Sequence, residues 1–153
     1  MSIQKLHVHY RVRPTEEFQI GTLALQRGRL FFEYSESFLQ DPHWLSPYHL
    51  SPDNSFHEFQ PSSGLEIWGL FDDSLPDGWG LLLMDRFFRK TGIHPRSLNI
   101  LDRLAYLGTR TMGALTYHPS SQTTAEEQKM IDLFKTSQEV FQVLDGKAED
   151  ILD

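Results

Sequence analysis

Residues 6–12 read Leu-His-Val-His-Tyr-Arg-Val, and this alternation limits the possible folds more than any other stretch of the chain. Side chains of an extended segment point to opposite faces in turn. Leu6, Val8, Tyr10 and Val12 are therefore expected on one buried face, with His7, His9 and Arg11 on the other. A strand with one apolar face needs neighbours beside it and a cover over it. Neighbours follow at once, because IGTLALQRGRLFFEYS (residues 20–35) reads as a hairpin: two β-prone runs flank Gln26-Arg27-Gly28, where glycine takes the positive φ of a tight reversal. An antiparallel meander opens the chain.

The cover has to come from further along. Residues 35–63 are rich in Pro, Ser, Asp and His; Pro42, Pro47, Pro52 and Pro61 each fix φ and remove a donor, so long regular structure is not expected there. Phe38, Trp44, Tyr48, Phe56 and Phe59 punctuate this loop, which predicts that it packs over the hairpin. Three helical patterns come next. A short one lies in SGLEIWGLFDDSL, with Leu65, Trp68 and Phe71 or Leu70 on neighbouring faces, and Pro76 prevents its continuation. A second runs from Trp79 to about Lys90, with Asp77 or Gly78 serving its first turn, Leu82, Leu83, Phe87 and Phe88 as its apolar side, and Thr91-Gly92 ending it. The third is expected to be capped by Ser97, with Leu98, Leu101, Leu104 and Leu107 spaced by three and Gly108 beyond its end. A return strand, Ala114 to Tyr117, stops at Pro119. From about Thr124 to Leu144 a last long helix carries Ile131, Phe134, Val140, Phe141 and Leu144 and closes at Asp145-Gly146, and KAEDILD resembles a further helix cut short.

Strands first, helices in the middle and one strand afterwards predict an α+β fold: a small antiparallel sheet from the N-terminal part, packed with several α-helices. Alternating βα units are missing, which excludes a doubly wound nucleotide-binding fold. A chain of 153 residues suits one domain, 1–153, with residues 1–60 as meander and Pro-rich loop, 61–119 as helical part and return strand, and 124–153 as C-terminal helices.

Composition narrows the function. A formal net charge of -7 opposes attraction to phosphate backbones and anionic lipid, so direct nucleic-acid and membrane binding are not expected. Without cysteine there is no disulfide, thiolate metal site or Cys nucleophile. The segment MSIQKLHVHYRVRP lacks a signal-peptide core and no run is apolar enough for a membrane helix, so a cytoplasmic location is expected.

Signs of catalysis are weak. There is no Walker loop, G-x-G-x-x-G, H-E-x-x-H or G-x-S-x-G, and Gly78 and Gly80 lack both the third glycine and a preceding strand that a phosphate cradle needs. His7 and His9 share a strand face at a spacing metals use, yet no acidic third ligand stands beside them in the sequence. His43, His49 and His57 lie in the Pro-rich loop with no evident Ser or Asp geometry. Asp72, Asp73 and Asp77 are read as caps and turn formers rather than a metal cluster, and Thr109-Arg110-Thr111 as a connecting turn. Arg86, Arg89, Lys90 and Arg96 form a basic patch, either a solvated helix face or a docking surface for an acidic partner. No enzyme activity, metal or other cofactor is expected.

One corner remains. SLPDGWG (residues 74–80) places an indole on the first helical turn behind a rigid Pro-Asp-Gly reversal, which suits an interface anchor and a core residue equally well. Trp68, among Leu and Phe, is assigned to the core.

GLFDDSLPDGWGLLLMDR (69–86) and SLNILDRLAYLGTRTMGALTYHP (97–119), with the hairpin IGTLALQRGRLFFEYSESFL (20–39), closely resemble the N-terminal region of the HipA family of serine/threonine kinase toxins. In that family a kinase body follows, with a Gly-rich ATP loop and two functional aspartates; those residues are absent here, so the resemblance carries over the accessory region and not the activity. It implies either the N-terminal domain of a HipA-type toxin truncated before its kinase domain, with structural and partner-binding roles, or the small HipS-like subunit of a split, HipBST-type toxin–antitoxin system. The start at Met1 favours the split subunit. On that reading the chain is a non-catalytic, antitoxin-like protein that docks on a HipA/HipT-like kinase and restrains it, within a complex that includes a HipB-like helix-turn-helix protein. Ser74, Leu75, Pro76, Asp77, Gly78, Trp79 and Arg86 are the expected partner-binding residues, with Trp79 reaching toward the nucleotide cleft of the kinase.

Overall fold

The computed structural model describes residues 3–41, 49–61, 64–111, 113–120, 124–125 and 127–136. Its centre is an antiparallel five-stranded sheet in the order β4-β3-β2-β1-β5, formed by β1 (Lys5–Arg13), β2 (Glu16–Gln26), β3 (Arg29–Tyr34), β4 (His57–Glu58) and β5 (Leu115–Pro119). Helices α1 (Glu36–Gln40), α2 (Gly69–Asp72), α3 (Gly78–Lys90) and α4 (Ile100–Leu107) follow the meander and precede the return strand. The fold is α+β, as the order of patterns predicts.

The meander forms as expected and is longer than its apolar pattern. Gln26 pairs with Arg29, so the loop has two residues, and both Arg27 (φ 50°) and Gly28 (φ 74°) are left-handed. Two successive positive φ values give the reversal whose twist matches paired strands. β2 begins at Glu16 rather than near Ile20: Glu16, Glu17 and Phe18 have no strand-like pattern of their own, and their pairing with Arg13, Arg11 and Tyr10 holds them extended. The register shifts between Val8 and His9, where Val8 faces Gly21 and His9 faces Gln19. Ile20 is the extra residue of this bulge and is fully buried.

Along β1 the apolar face is only half covered. Leu6 and Val8 are fully buried, whereas Tyr10 is 36% exposed and Val12 52%, contrary to the expectation from alternation. The far half of β1 is left partly uncovered, and Tyr10 finds the Phe18 ring at 5.5 Å as its neighbour. The core gathers Leu6, Val8, Leu23, Phe32 and Tyr117 from the sheet with Ile67, Trp68, Phe71, Phe88, Leu101 and Leu104 from the helical side. Trp68 is buried as expected, edge-on to Phe59 at 5.3 Å and to Phe71 at 6.0 Å.

The Pro-rich stretch has two short regular pieces, α1 and β4. Phe38 stacks on Tyr34 at 5.3 Å and the Tyr34 hydroxyl donates to the Leu50 carbonyl at 2.6 Å, so parts of the loop do lie on the hairpin. Phe56, 71% exposed, does not. Pro42, Pro47, His43, Trp44 and Tyr48 lie outside the described residues.

The helical part differs in detail from its pattern. Only Gly69–Asp72 of the first pattern is helical, and Leu65 is exposed. α4 starts at Ile100 instead of after Ser97, because Asn99 and Asp102 build a reciprocal cap: the Asp102 amide donates to Asn99 Oδ1 at 2.8 Å and the Asn99 amide donates to Asp102 Oδ2 at 2.8 Å. Ser97 ends a single 3-10 turn, Pro95–Ser97. The same cap reaches the N-terminus, where the Ile3 amide donates to Asp102 Oδ1 at 2.7 Å and Asn99 Nδ2 donates to the Ile3 carbonyl at 3.0 Å. The return strand is Leu115–Pro119, one residue beyond the expected Ala114 start and running through Pro119. Residues 127–136 are helical, with Ile131 and Phe134 buried. Val140, Phe141, Leu144, Asp145-Gly146 and the last segment lie outside the described residues. Among the described residues no helix is long and apolar enough to cross a membrane.

Candidate functional site

The corner at residues 74–80 is held from both ends. Ser74 is buried, and its hydroxyl lies 2.7 Å from the Tyr117 hydroxyl of β5. The amides of Ser74 and Leu75 donate to the carbonyls of Phe71 and Asp72 at 3.0 and 2.9 Å, which closes α2 tightly. Leu75 leans on the core. After Pro76, Asp77 caps α3: its carboxylate accepts from the Gly80 amide at 3.0 Å and its carbonyl from the Leu81 amide at 2.8 Å. The cap reading of Asp77 is thereby correct, and among the described residues Asp72, Asp73 and Asp77 form no ligand cluster. Gly80 is needed at its place, because a Cβ there would meet Pro76 Cβ at 2.5 Å. The first turn of α3 is thus pressed against the proline, and the side chain between them in sequence, Trp79, is turned outward.

α3 runs over Gly78–Lys90, within one residue of the expected start and at the expected end, but its faces are reversed in part. Met84, Phe87 and Phe88 are buried, with Phe88 edge-on to Tyr106 at 4.9 Å and 5.6 Å from Phe134. Leu82 and Leu83, expected inside, are 41% and 47% exposed, and Trp79 is 66% exposed. Trp79 is therefore not a core residue. Positions 79, 82, 83 and 86 repeat at i, i+3, i+4 and i+7, so the indole, two leucines and the exposed Arg86 form one outward stripe. A helix needs only one apolar face to pack, and this one has two.

The inner face is pinned. Arg103 of α4 donates to Asp85 at 2.8 Å, both side chains being largely buried. Arg86, Arg89, Lys90 and Arg96 are exposed, and no ion pair among the described residues engages them. Of the seven expected partner-binding residues, Asp77, Gly78, Trp79 and Arg86 reach the surface, Leu75 and Pro76 are half-buried, and Ser74 faces inward. Leu82 and Leu83 were missed as surface residues; their spacing from Trp79 is the signal that could have found them.

The other candidates resolve into local structure. His57 Nε2 lies 3.3 Å from Asp53, and Ser55 donates to the same Asp53 carboxylate from its amide at 2.9 Å and from its hydroxyl. The carboxylate stands between serine and histidine, so the imidazole has no access to the serine proton and these three do not form a hydrolytic triad. Those Ser55 bonds hold the Asp53 carboxyl below its ordinary pKa. Arg11 donates to the Thr109 carbonyl at 2.7 Å and the Thr111 hydroxyl donates to the Leu115 carbonyl, as expected of a connecting turn. His7 contacts Gln19 at 3.0 Å and Thr22 at 3.1 Å. Burial, then the proximity of His118, holds His9 below its ordinary pKa. His43 lies outside the described residues.

A family model described as HipA N-terminal domain matches residues 14–118. That span takes in β2, β3, the corner, α3 and α4. No curated protein and no solved structure matches the chain.

Proposed function

We propose that this chain, which belongs to the HipA N-terminal domain family, is a non-catalytic subunit of a type II toxin–antitoxin system that docks on a HipA/HipT-like serine/threonine kinase and restrains it. The observation that carries this reading is the outward stripe Trp79, Leu82, Leu83 and Arg86 on α3. Burying a leucine-sized side chain against a partner contributes about 1.5–3 kcal/mol, so three large apolar residues leave a substantial association energy unused in the isolated chain. Tryptophan and arginine are the residues that most often dominate interfaces. The clamped corner adds to this, because a side chain on an immobile turn loses little freedom when it docks.

Restraint follows from where such an anchor goes. An indole inserted at the edge of a nucleotide cleft excludes the nucleotide or holds the loop above it open. A helix-turn-helix partner, HipB-like, supplies the DNA contact in the larger complex, in keeping with a net charge of -7 on this chain. Co-expression with a HipA-type kinase tests the proposal: the chain is expected to co-purify with it and to relieve its toxicity. Trp79→Ala should leave folding unchanged, weaken binding by more than about thirtyfold, as loss of a hot-spot anchor does, and abolish relief of growth. Unaltered binding by Trp79→Ala and Leu83→Ser alike refutes the docking face.

A second reading has its own support, since the matched family model is that of the front domain of a longer toxin. There the same stripe packs in cis on the toxin's own kinase body. A separate kinase reading frame next to this one decides for the split arrangement, and a fused one for the alternative.

A further inference from the structure

On the face of the sheet turned away from the core, three strands bring together residues that are far apart in sequence. His9 stands in β1, between Gln19 of β2 and Thr116 of β5. Glu17 of β2 and His118 of β5 reach across it from opposite diagonals, and Glu17 Oε2 lies 2.8 Å from His118 Nε2. The His9 and His118 rings meet edge to face with centroids 4.5 Å apart. One donor atom from each of His9, Glu17 and His118 lies within 4.8 Å of the other two, and among the described residues no other group of His, Asp and Glu is so arranged.

We infer that His9, Glu17 and His118 bind one divalent transition-metal ion of the zinc class, with a fourth position open to water or to a side chain of a partner. Two imidazoles and a carboxylate are the donor set of such ions, whereas magnesium and calcium require oxygen ligands. Bonds of about 2.0–2.1 Å in a tetrahedral array put donor atoms roughly 3.3 Å apart. That separation lies between the 2.8 Å of the His118–Glu17 contact and the 4.8 Å limit of the group, so side-chain rotation alone can close the site. A second observation concerns His9 itself: its Nδ1 is buried and has no hydrogen-bond partner. A buried ring nitrogen left unpaired is costly, and ring rotation onto a metal ion offers the imidazole a partner that the sheet does not supply. The three ligands stand on strands joined by continuous ladders, so the backbone beneath them is already ordered. The ion would staple β5, an edge strand, to β1 and β2.

Titration of the untagged chain with zinc sulfate, in competition with a chromophoric chelator, tests the site. One ion per chain is expected, with an upward shift of the thermal unfolding midpoint on loading. His9→Ala, His118→Ala and Glu17→Gln are each expected to weaken binding by more than the roughly 10–100-fold that loss of a supporting group alone costs. His7→Ala, on the same face but bonded to Gln19 and Thr22, should bind as the parent does. Cobalt(II) in place of zinc should show intense ligand-field bands that change in the three variants and persist in His7→Ala. Zinc binding that is absent from the parent, or that is undiminished in both His118→Ala and Glu17→Gln, overturns the inference; Glu17→Gln keeps the size and shape of the side chain and so keeps the test valid if a histidine variant fails to fold.

Discussion

Gly80 occupies a helical position that intrinsic propensity would give to alanine, by up to about 1 kcal/mol. Contact reverses that preference, because an alanine Cβ meets Pro76 at 2.5 Å and the ring belongs to a corner that cannot retreat. Gly80→Ala is therefore expected to lower the thermal midpoint by a few degrees and to weaken the proposed docking on a kinase, measured by thermal unfolding and by calorimetry; a raised midpoint would show that propensity prevails. Buried hydroxyls give a second residue-level expectation. Burial, aided by the negative charge of Asp53, pushes the Tyr34 phenol up to about 12, and burial also raises Tyr117. An acid with a raised pKa in the folded state contributes stability that is whole below its unfolded value, near 10, and is lost as pH climbs toward the folded value. Urea midpoints should hold to about pH 9.5 and fall between roughly pH 10 and 12, with a slope of up to about 1.4 kcal/mol per unit for each group. Tyr34→Phe, less stable at neutral pH for want of its bond to Leu50, should show a flatter fall over that range.

Within α3 one apolar face is buried and the other exposed, and substitution separates the core from the proposed docking face. Phe88→Ala, which empties a site bounded by Tyr106 and Phe134, is expected to cost about 3–5 kcal/mol in chemical unfolding. Leu82→Ser and Leu83→Ser should change stability by no more than about 0.5 kcal/mol while reducing capture of the kinase in a pull-down. The bounds of this helix were legible in the sequence because Asp77 caps it and Thr91-Gly92 ends it. Its faces were not, since a 3.6-residue period marks Leu82 and Leu83 as readily as Phe87 and Phe88 and is silent about which side is covered. α4 was legible in its leucines and not in its start, because Ser97 and Asn99 are both good caps and Asp102, three residues after Asn99, decides between them. Asn99→Ala should cost about 1 kcal/mol for the cap alone, plus the bond to the Ile3 carbonyl, and is checked by the same unfolding measurement. β4 is two residues long, and the strand character of Glu16–Phe18 comes wholly from pairing with β1; neither has a local pattern to read.

Across the whole molecule, the charge of -7 and the exposed basic end of α3 act at different ranges. The overall charge repels phosphate backbones, while Arg86, Arg89 and Lys90 offer a local surface to an acidic partner. The purified chain is expected to leave duplex DNA unshifted in a gel at physiological salt, and the proposed association with a kinase is expected to slow as salt rises. The architecture as an α+β sheet with a return strand was legible from element order, whereas the His9, Glu17 and His118 group was not: Glu17 and His118 are separated by 101 positions, and only the register of three strands unites them. The same register has a consequence for biosynthesis. β1 lies inside the sheet, with β5 as its second neighbour, and Ile3 just before it is bonded to Asn99 and Asp102. On the ribosome, the emerging β1 can pair with β2 early, but its other edge stays open until residue 119 has cleared the exit tunnel. Completion of this sheet thus waits on β5, and a nascent chain stalled before that point presents a bare strand edge to chaperones, or to other copies of itself.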